Sequence, residues 1–392
     1  MAVTVVTSQS WFSRLGNSVI GSLIGLLLVI GMVGMLFWNE GRAVKTAKAL
    51  AEGAGAVVTV DAKAVDPANE GKLIAIAGPA TPQGVPEDAL LGIRAEGAVA
   101  LERSVEMYQW KETQKSETRT KLGGGTEAVT TYDYVMEWSS SPENSSNFKE
   151  PAGHQNPQFP VRGEDFEVPT VTVGAFAIDG GNVAHLGARS PLVPDAGAPQ
   201  RVAQALGAGR PATLAGDTVF VGFSPSNPRI GDMRVKFTRA DLKELSVAGA
   251  QAGNGIKAWT SSNGREIFLA KAGIAPAAEL FADAIASNTV LTWILRVVGL
   301  VLMLIGFSLM FAILGVIGDV IPFVGSIVRA GTGLIALFLT AILGSVTIAI
   351  AWIFFRPLIG LAIIAIGFAI AFAAGKMGAK KGAAAPPAGT AA

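Results

Sequence analysis

The chain has 392 residues, of which 16% are charged and 50% are hydrophobic, and it contains no cysteine. Soluble proteins carry about 25% charged residues, so this composition excludes a wholly soluble protein, and the hydrophobic content excludes a disordered polymer. Without cysteine there are no disulfides, iron–sulfur clusters or thiolate zinc sites.

The charged residues are concentrated in the middle of the chain. Only eight of them lie outside residues 39–292, so a soluble-like domain stands between two apolar ends. Residues 39–292 carry a net charge of −5, whereas the two ends together carry +6. Because an acidic domain is a poor electrostatic match for nucleic acid, we expect no nucleic-acid partner.

The first predicted membrane helix comprises residues 19–38, which contain no charge. A helix of this length spans about 30 Å, the thickness of a bilayer core. A cleaved signal peptide is the alternative, but its apolar region would run about 7–15 residues and end at small residues. Because this segment is longer and ends in Phe37 and Trp38, we predict a retained signal anchor after a cytosolic N-terminus, residues 1–18.

Residues 39–292 are predicted to form a β-rich extracytoplasmic domain, because they contain short strand-type runs bounded by Gly, Pro, Asn and Ser. Two longer runs, residues 104–118 and 126–139, flank three glycines and predict an extended hairpin with cross-strand aromatic pairs. Residues 261–264 predict a second, short hairpin turn. Helical patterns at residues 41–52 and 276–287 are expected to continue the neighbouring membrane helices.

The C-terminal part predicts three further membrane helices, at residues 293–317, 334–355 and 358–374. Between the first two, the segment 318–333 contains Pro322 and is expected to be an interfacial or re-entrant loop. Residues 375–392 are expected to be a disordered cytosolic tail. Four spans place both termini on one side, and the basic residues of the short loops predict that this side is the cytoplasm.

These elements define the predicted fold class, an α+β membrane protein with four transmembrane helices, one N-terminal and three C-terminal. The large β-rich extramembrane domain is inserted between the first and second helices.

The sequence contains no recognisable catalytic motif, and we predict no catalytic residue, cofactor or metal site. Neither His154 nor His185 has a second histidine or a carboxylate at ligand spacing, and nucleophile-elbow and phosphate-loop motifs are absent. The candidate contacts for the membrane interface or for assembly lie at predicted helix ends: Trp38, Glu40, Arg42 and Arg356. Glu40 and Arg42 are an acid and a base within one turn of the membrane edge, where a charge-assisted hydrogen bond gains strength, so we expect Glu40 or Arg42 to make a domain or subunit contact.

Several sequence blocks carry a resemblance to a known family. They include residues 37–53 (FWNEGRAVKTAKALAEG), 105–112 (VEMYQWKE), 153–157 (GHQNP), 231–235 (GDMRV) and 355–358 (FRPL). In these blocks, and over nearly its whole length, the chain resembles the transmembrane protein 43 family, also called LUMA. The resemblance implies four membrane helices, cytosolic termini and a lumenal domain after the first helix. It also implies self-association and, in animals, complexes with emerin and lamins, and it supplies no catalytic residues.

The composition bears on location. A chain rich in Ala, Gly and Val and without cysteine is typical of a bacterial protein from a GC-rich genome. We therefore predict a bacterial cytoplasmic (inner) membrane with the large domain outside. An animal protein of this family would lie in the endoplasmic reticulum and inner nuclear membrane.

The leading functional hypothesis is a non-enzymatic integral membrane scaffold. It would form homo-oligomers in contact with membrane lipids and organise protein complexes or membrane patches, with its other membrane-protein partners unknown. One alternative is a membrane-bound enzyme or accessory factor of lipid or envelope metabolism, with a site near Glu40, Arg42 and His154. The other is a regulatory subunit of a channel or transporter.

Overall fold

The computed structural model describes residues 3–206 and 209–357, which form two compact units. The β unit comprises residues 3–9, 48–121 and 126–286, and the helical unit comprises residues 10–47, 122–125 and 287–357. The predicted fourth membrane helix, residues 358–374, and the predicted tail, residues 375–392, lie outside the described residues.

The described residues contain four α-helices and nineteen strands. The helices are α1 (Trp11–Ala56), α2 (Ala198–Ala205), α3 (Ala277–Gly318) and α4 (Pro322–Phe355). The first ten strands are β1 (Val3–Gln9), β2 (Val58–Thr59), β3 (Leu73–Gln83), β4 (Glu87–Asp88), β5 (Ile93–Arg94), β6 (Ala100–Thr120), β7 (Thr126–Ser139), β8 (Glu164–Glu167), β9 (Thr170–Val173) and β10 (Phe176–Asp179). The others are β11 (Ala188–Leu192), β12 (Ala212–Ala215), β13 (Thr218–Val221), β14 (Met233–Asp241), β15 (Glu244–Ala252), β16 (Gly255–Lys257), β17 (Trp259–Thr260), β18 (Glu266–Ile267) and β19 (Leu269–Ala272).

The β unit is built on two large sheets. One has the strand order β1-β7-β6-β14-β13-β12, with β11 also paired to β14 and β8 also paired to β6. The other has the order β19-β15-β16-β10-β9-β3-β2, with β15 also paired to β3. Each sheet covers its own apolar core, the first around Leu101 and Phe237 and the second around Phe176 and Leu245. The predicted β-rich domain is therefore present.

The long hairpin of β6 and β7 confirms the sequence prediction, including the Gly-rich turn between its strands. Tyr108 lies opposite Trp138 in the register, and their ring centroids are 5.2 Å apart. The side-chain amide of Asn156 covers part of the other edge of β6. Its Oδ1 accepts the Trp110 N–H at 2.7 Å, and its Nδ2 donates to the Trp110 C=O at 2.8 Å. Asn156 thus takes the place of a neighbouring strand at this point.

The N-terminal strand β1 was not predicted from the sequence. The location of residues 1–18 in the cytosol stays a prediction, because strand pairing does not say on which side of a bilayer these residues lie. In the structure, β1 pairs antiparallel with β7 from Val3↔Tyr132 to Gln9↔Thr126. The physical reason is that its β-branched Val and Thr residues extend the ladder of a strand whose edge is otherwise unpaired.

Three helices, α1, α3 and α4, are each long and apolar enough to cross a bilayer. The predicted helical stretches 41–52 and 276–287 are confirmed as parts of α1 and α3, and their side chains Leu50 and Phe281 are buried in the β unit. Within the helical unit, α1 and α3 approach closely at two glycines. A Cβ on Gly25 would lie 2.4 Å from the carbonyl oxygen of Gly306, so small residues permit this contact, as in other membrane helix pairs.

The predicted interfacial or re-entrant loop, residues 318–333, is also different in the structure. Its residues from Pro322 onward are the first turns of α4, and only a short turn separates them from α3. Pro322 starts this helix instead of breaking it, because the first helical residue has no intrahelical partner for its N–H.

We predict that Asn156→Ala exposes the edge of β6 to exchange. The Trp110 N–H and C=O lose their partner, which costs about 1–3 kcal/mol for a half-buried pair, and the Trp110 amide should exchange hydrogen faster. Hydrogen exchange followed by mass spectrometry checks this, with Asn182→Ala as the control because Asn182 is exposed. Equal exchange in the two variants would contradict the role of Asn156.

Candidate functional site

A buried carboxylate joins all three long helices at one end of the helical unit. Glu40 of α1 is 1% exposed, and both its oxygens accept hydrogen bonds from Arg296 of α3, at 2.6 and 2.8 Å. The indole N–H of Trp352 in α4 donates to the same carboxylate at 2.9 Å. Such a bidentate, charge-assisted pair fixes orientation as well as distance.

The neighbouring polar residues of α1 strengthen the contact with α3. The Arg42 guanidinium donates to Asn288 Oδ1 at 3.0 Å and to Thr292 Oγ1 at 2.9 Å. The Asn39 amide donates to the Thr292 carbonyl at 3.1 Å. Because residues 39, 40 and 42 lie within one turn of α1, this turn is joined to α3 by both ionic and neutral hydrogen bonds.

The four predicted contact residues have different surroundings. Glu40 and Arg42 both contact α3, as described. The guanidinium of Arg356, at the end of α4, stacks over the Trp352 ring with 5.1 Å to its centroid. Trp38 is 58% exposed on the helix surface, as expected for an interface residue. Whether any of them contacts another protein stays a prediction.

A second buried carboxylate joins the opposite ends of the same helices. Asp319, in the turn between α3 and α4, is fully buried and pairs with Arg14 of α1 at 2.6 Å. Arg329 of α4 donates to both Asp319 oxygens, at 2.7 and 2.8 Å. The indole N–H of Trp11 donates to the Val316 carbonyl at 2.8 Å. Each end of the helical unit therefore contains one buried acid, arginines and a tryptophan donor.

The tip of the β6–β7 hairpin belongs to this second cluster. Arg14 also donates to the Gly124 carbonyl, and the Gly123 N–H donates to the Val320 carbonyl at 3.2 Å. A Cβ on Gly124 would lie 2.2 Å from Trp11 Cδ1, so the Trp11 ring packs directly on the glycine backbone. The sequence predicts only a turn at this tip, whereas in the structure the tip packs closely against Trp11 and Arg14.

Sequence reasoning missed Arg296, Trp352, Arg14 and Asp319 as partners. A signal existed, because Arg14, Arg296 and Asp319 are among the few charged residues outside 39–292. Isolated charges beside apolar spans usually pair with one another, but the pattern does not say which of them pair.

His154, proposed for an enzymatic site with Glu40 and Arg42, has different neighbours. Its ring stacks on Tyr134 at 3.9 Å and lies edge-on to Trp110 at 4.8 Å. The Tyr134 hydroxyl donates to Glu112 at 2.8 Å. Among residues 3–206 and 209–357, no group of three or more His, Asp or Glu side chains is arranged to hold a metal ion.

Comparison with known proteins identifies the family. Residues 107–357 match the family model described as Transmembrane protein 43. The chain belongs to the transmembrane protein 43 family. It is 32% identical to Transmembrane protein 43 of Homo sapiens over 376 residues, covering 91% of this chain and 90% of the human protein.

Other members of the family match over a similar length. Transmembrane protein 43 of Rattus norvegicus is also 32% identical, and it covers 91% of the chain and 90% of its own length. The Transmembrane protein 43 homolog of Drosophila melanogaster is 27% identical over 88% of the chain and 92% of its own length. No solved structure matches the chain. The match to these membrane proteins and the three candidate spans together make this family member an integral membrane protein.

We predict that Glu40→Gln destabilises the helical unit by about 3–5 kcal/mol, because Arg296 is left buried without its counter-ion. Thermal unfolding of the full chain in mild detergent measures the loss. The double variant Glu40→Met/Arg296→Met should recover much of it, since it removes both charges. Glu117→Gln, on an exposed strand, is the control. A Glu40→Gln protein as stable as this control would contradict the buried pair.

We predict that Gly124→Ala loosens the hairpin tip, whereas Gly123→Ala does so much less. Both glycines have positive φ, +78° and +86°, so alanine costs about 1 kcal/mol of backbone strain at either position. Only at Gly124 does the new methyl group meet Trp11. Hydrogen exchange at residues 122–125 measures the difference. Equal exchange in the two variants would contradict the contact with Trp11.

Proposed function

We propose that this chain is a non-enzymatic integral membrane scaffold that self-associates and organises membrane protein complexes or membrane patches. The observation that carries the proposal is that both buried carboxylates make ion pairs between helices. Glu40 forms an ion pair with Arg296 of a neighbouring helix, and Asp319 forms ion pairs with Arg14 and Arg329. In proton relays and ion pathways, by contrast, ionisable groups within the membrane serve transport. Here they hold the helices together.

The outer surface of the helical unit supports the same proposal. Large apolar side chains are exposed along the helices, among them Leu27 at 69%, Leu334 at 70% and Phe338 at 66%. This surface suits contact with lipid or with the helices of other membrane proteins. Because the polar contacts fix the three helices within one chain, the surface is presented as a rigid unit.

The membrane itself favours self-association of such a chain. Proteins confined to a bilayer have lost much of the freedom that association normally costs, so their effective concentration is raised. A weak lateral contact is then sufficient for an oligomer. We place the chain in a bacterial cytoplasmic membrane with the β unit largely outside, on the basis of its composition and the charges of its short loops.

The enzymatic alternative has less support from the geometry. Glu40 and Arg42 make structural contacts with α3, and His154 packs on aromatic side chains of the β unit. Turnover of a lipid by the purified chain would nevertheless favour that alternative.

We predict that the full-length chain is oligomeric in a bilayer. Single-molecule photobleaching of the fluorescently labelled protein in liposomes counts the copies in each spot. Most spots should show several bleaching steps, and the number should persist when protein is diluted into more lipid. A labelled monomeric membrane protein at equal density is the control. Single-step bleaching at the native protein-to-lipid ratio would contradict the scaffold.

A further inference from the structure

The pairing of β1 with β7 has a consequence for the hairpin if α1 crosses a bilayer. Residues 3–9 precede the apolar part of α1, and the base of the β6–β7 hairpin follows it in sequence. Nevertheless β1 pairs with β7 along its whole length. If α1 crosses a bilayer, some part of the hairpin crosses the same bilayer.

The dimensions of the elements fit this condition. Arg14 and Glu40, in the two polar clusters, are separated along α1 by about 39 Å at 1.5 Å per residue, close to the thickness of a bilayer with its headgroups. The hairpin tip, at Gly123 and Gly124, contacts the cluster of Arg14. From Met107, the last β6 residue paired with β14, β6 continues to Thr120, about 44 Å at 3.4 Å per residue.

The composition of the hairpin excludes contact with lipid. Residues 113–120 of β6 are all polar or charged, and nearly all are exposed. Strands that face lipid alternate apolar and polar residues, which this segment does not do. Within residues 3–206 and 209–357, residues 113–120 pair with β7 alone, so the other edge of this segment has no strand partner there. Within a bilayer, such an edge is tolerated only in a closed barrel or where protein or water screens it.

We infer that the ribbon of β1, β7 and β6 is an interface between copies of this chain, in which the free edge of β6 pairs with β1 of the next copy. The inference rests on the proposed self-association and names its surface. Both β6 and β1 are antiparallel to β7, so they run parallel to each other. A head-to-tail contact therefore preserves strand direction from copy to copy, and rotation about one axis closes a ring.

The charges of the ribbon favour the head-to-tail pairing of β6 with β1 over a two-fold symmetric pairing of β6 with β6. On one face of the ribbon the charges of β6 are mainly basic, with Lys111, Lys115 and Arg119 beside a single acid, Glu117, while β7 carries Glu127, Asp133 and Glu137. Pairing β6 with β6 would bring basic rows together, whereas β1 (VTVVTSQ) has no charge. Head-to-tail addition thus alternates basic, uncharged and acidic strands around the ring.

Cysteine crosslinking in this cysteine-free chain tests the inference. Thr7 and Thr118 lie at the same level of the ribbon and on the same face, because both align with Ala128. Copies carrying only Thr7→Cys and differently tagged copies carrying only Thr118→Cys are co-expressed. Membranes are then treated with a bifunctional thiol reagent that bridges roughly 8 Å. This distance covers the spacing between two paired strands together with an offset of one or two residues along them.

We expect crosslinked dimers that contain one copy of each variant, at least tenfold above those formed by either variant alone. Replacing Thr118→Cys with Ser226→Cys, in an exposed turn of the β unit, should abolish them. Dimers of Thr7→Cys with itself would overturn the head-to-tail arrangement. If photobleaching shows oligomers but no mixed dimer forms, the ribbon interface is wrong and the scaffold stands. A monomeric chain would overturn both.

Discussion

A carboxylate removed from water requires a cation beside it, and the helical unit contains two such carboxylates. Lipid tails are as apolar as leucine, so burial of apolar surface does not by itself select which helices become neighbours in a bilayer. Glu40 and Asp319 do select them, because each needs partners from more than one helix. Between the two, close contacts such as Gly25 with Gly306 complete the packing.

The second cluster links this constraint to the topology of the chain. The Arg14 guanidinium donates hydrogen bonds both to Asp319 and to the Gly124 carbonyl. The same group therefore joins α1 to the α3–α4 turn and binds the hairpin tip. The pairing of β1 with β7 then follows from short chain connectivity, since Ser10 alone separates β1 from α1. The proposed self-association would screen the polar edge of the ribbon of β1, β7 and β6, which gives the proposal a physical cause.

Local features of this fold could be predicted from sequence, whereas distant pairings could not. The hairpin follows from alternation around three glycines, and Glu40 and Arg42 were found because they end an apolar run. Arg296 was missed as the partner of Glu40, because nothing in a local pattern specifies a contact across 256 positions. Strand β1 has the β-branched residues of a strand, but its partner depends on tertiary structure. Pro322 was misinterpreted because proline both breaks helices and begins them.

Distances between spin labels test most directly the claim that each end of the helical unit is fixed by its own carboxylate. One nitroxide pair replaces Phe12 and Ile327 near Asp319, and another replaces Trp38 and Phe354 near Glu40; all four side chains are exposed. Labelled chains are diluted with unlabelled chain in liposomes, and Asp319→Asn is introduced. The account predicts a broadened distance distribution for the first pair and an unchanged one for the second. An unchanged distribution for both pairs would contradict it.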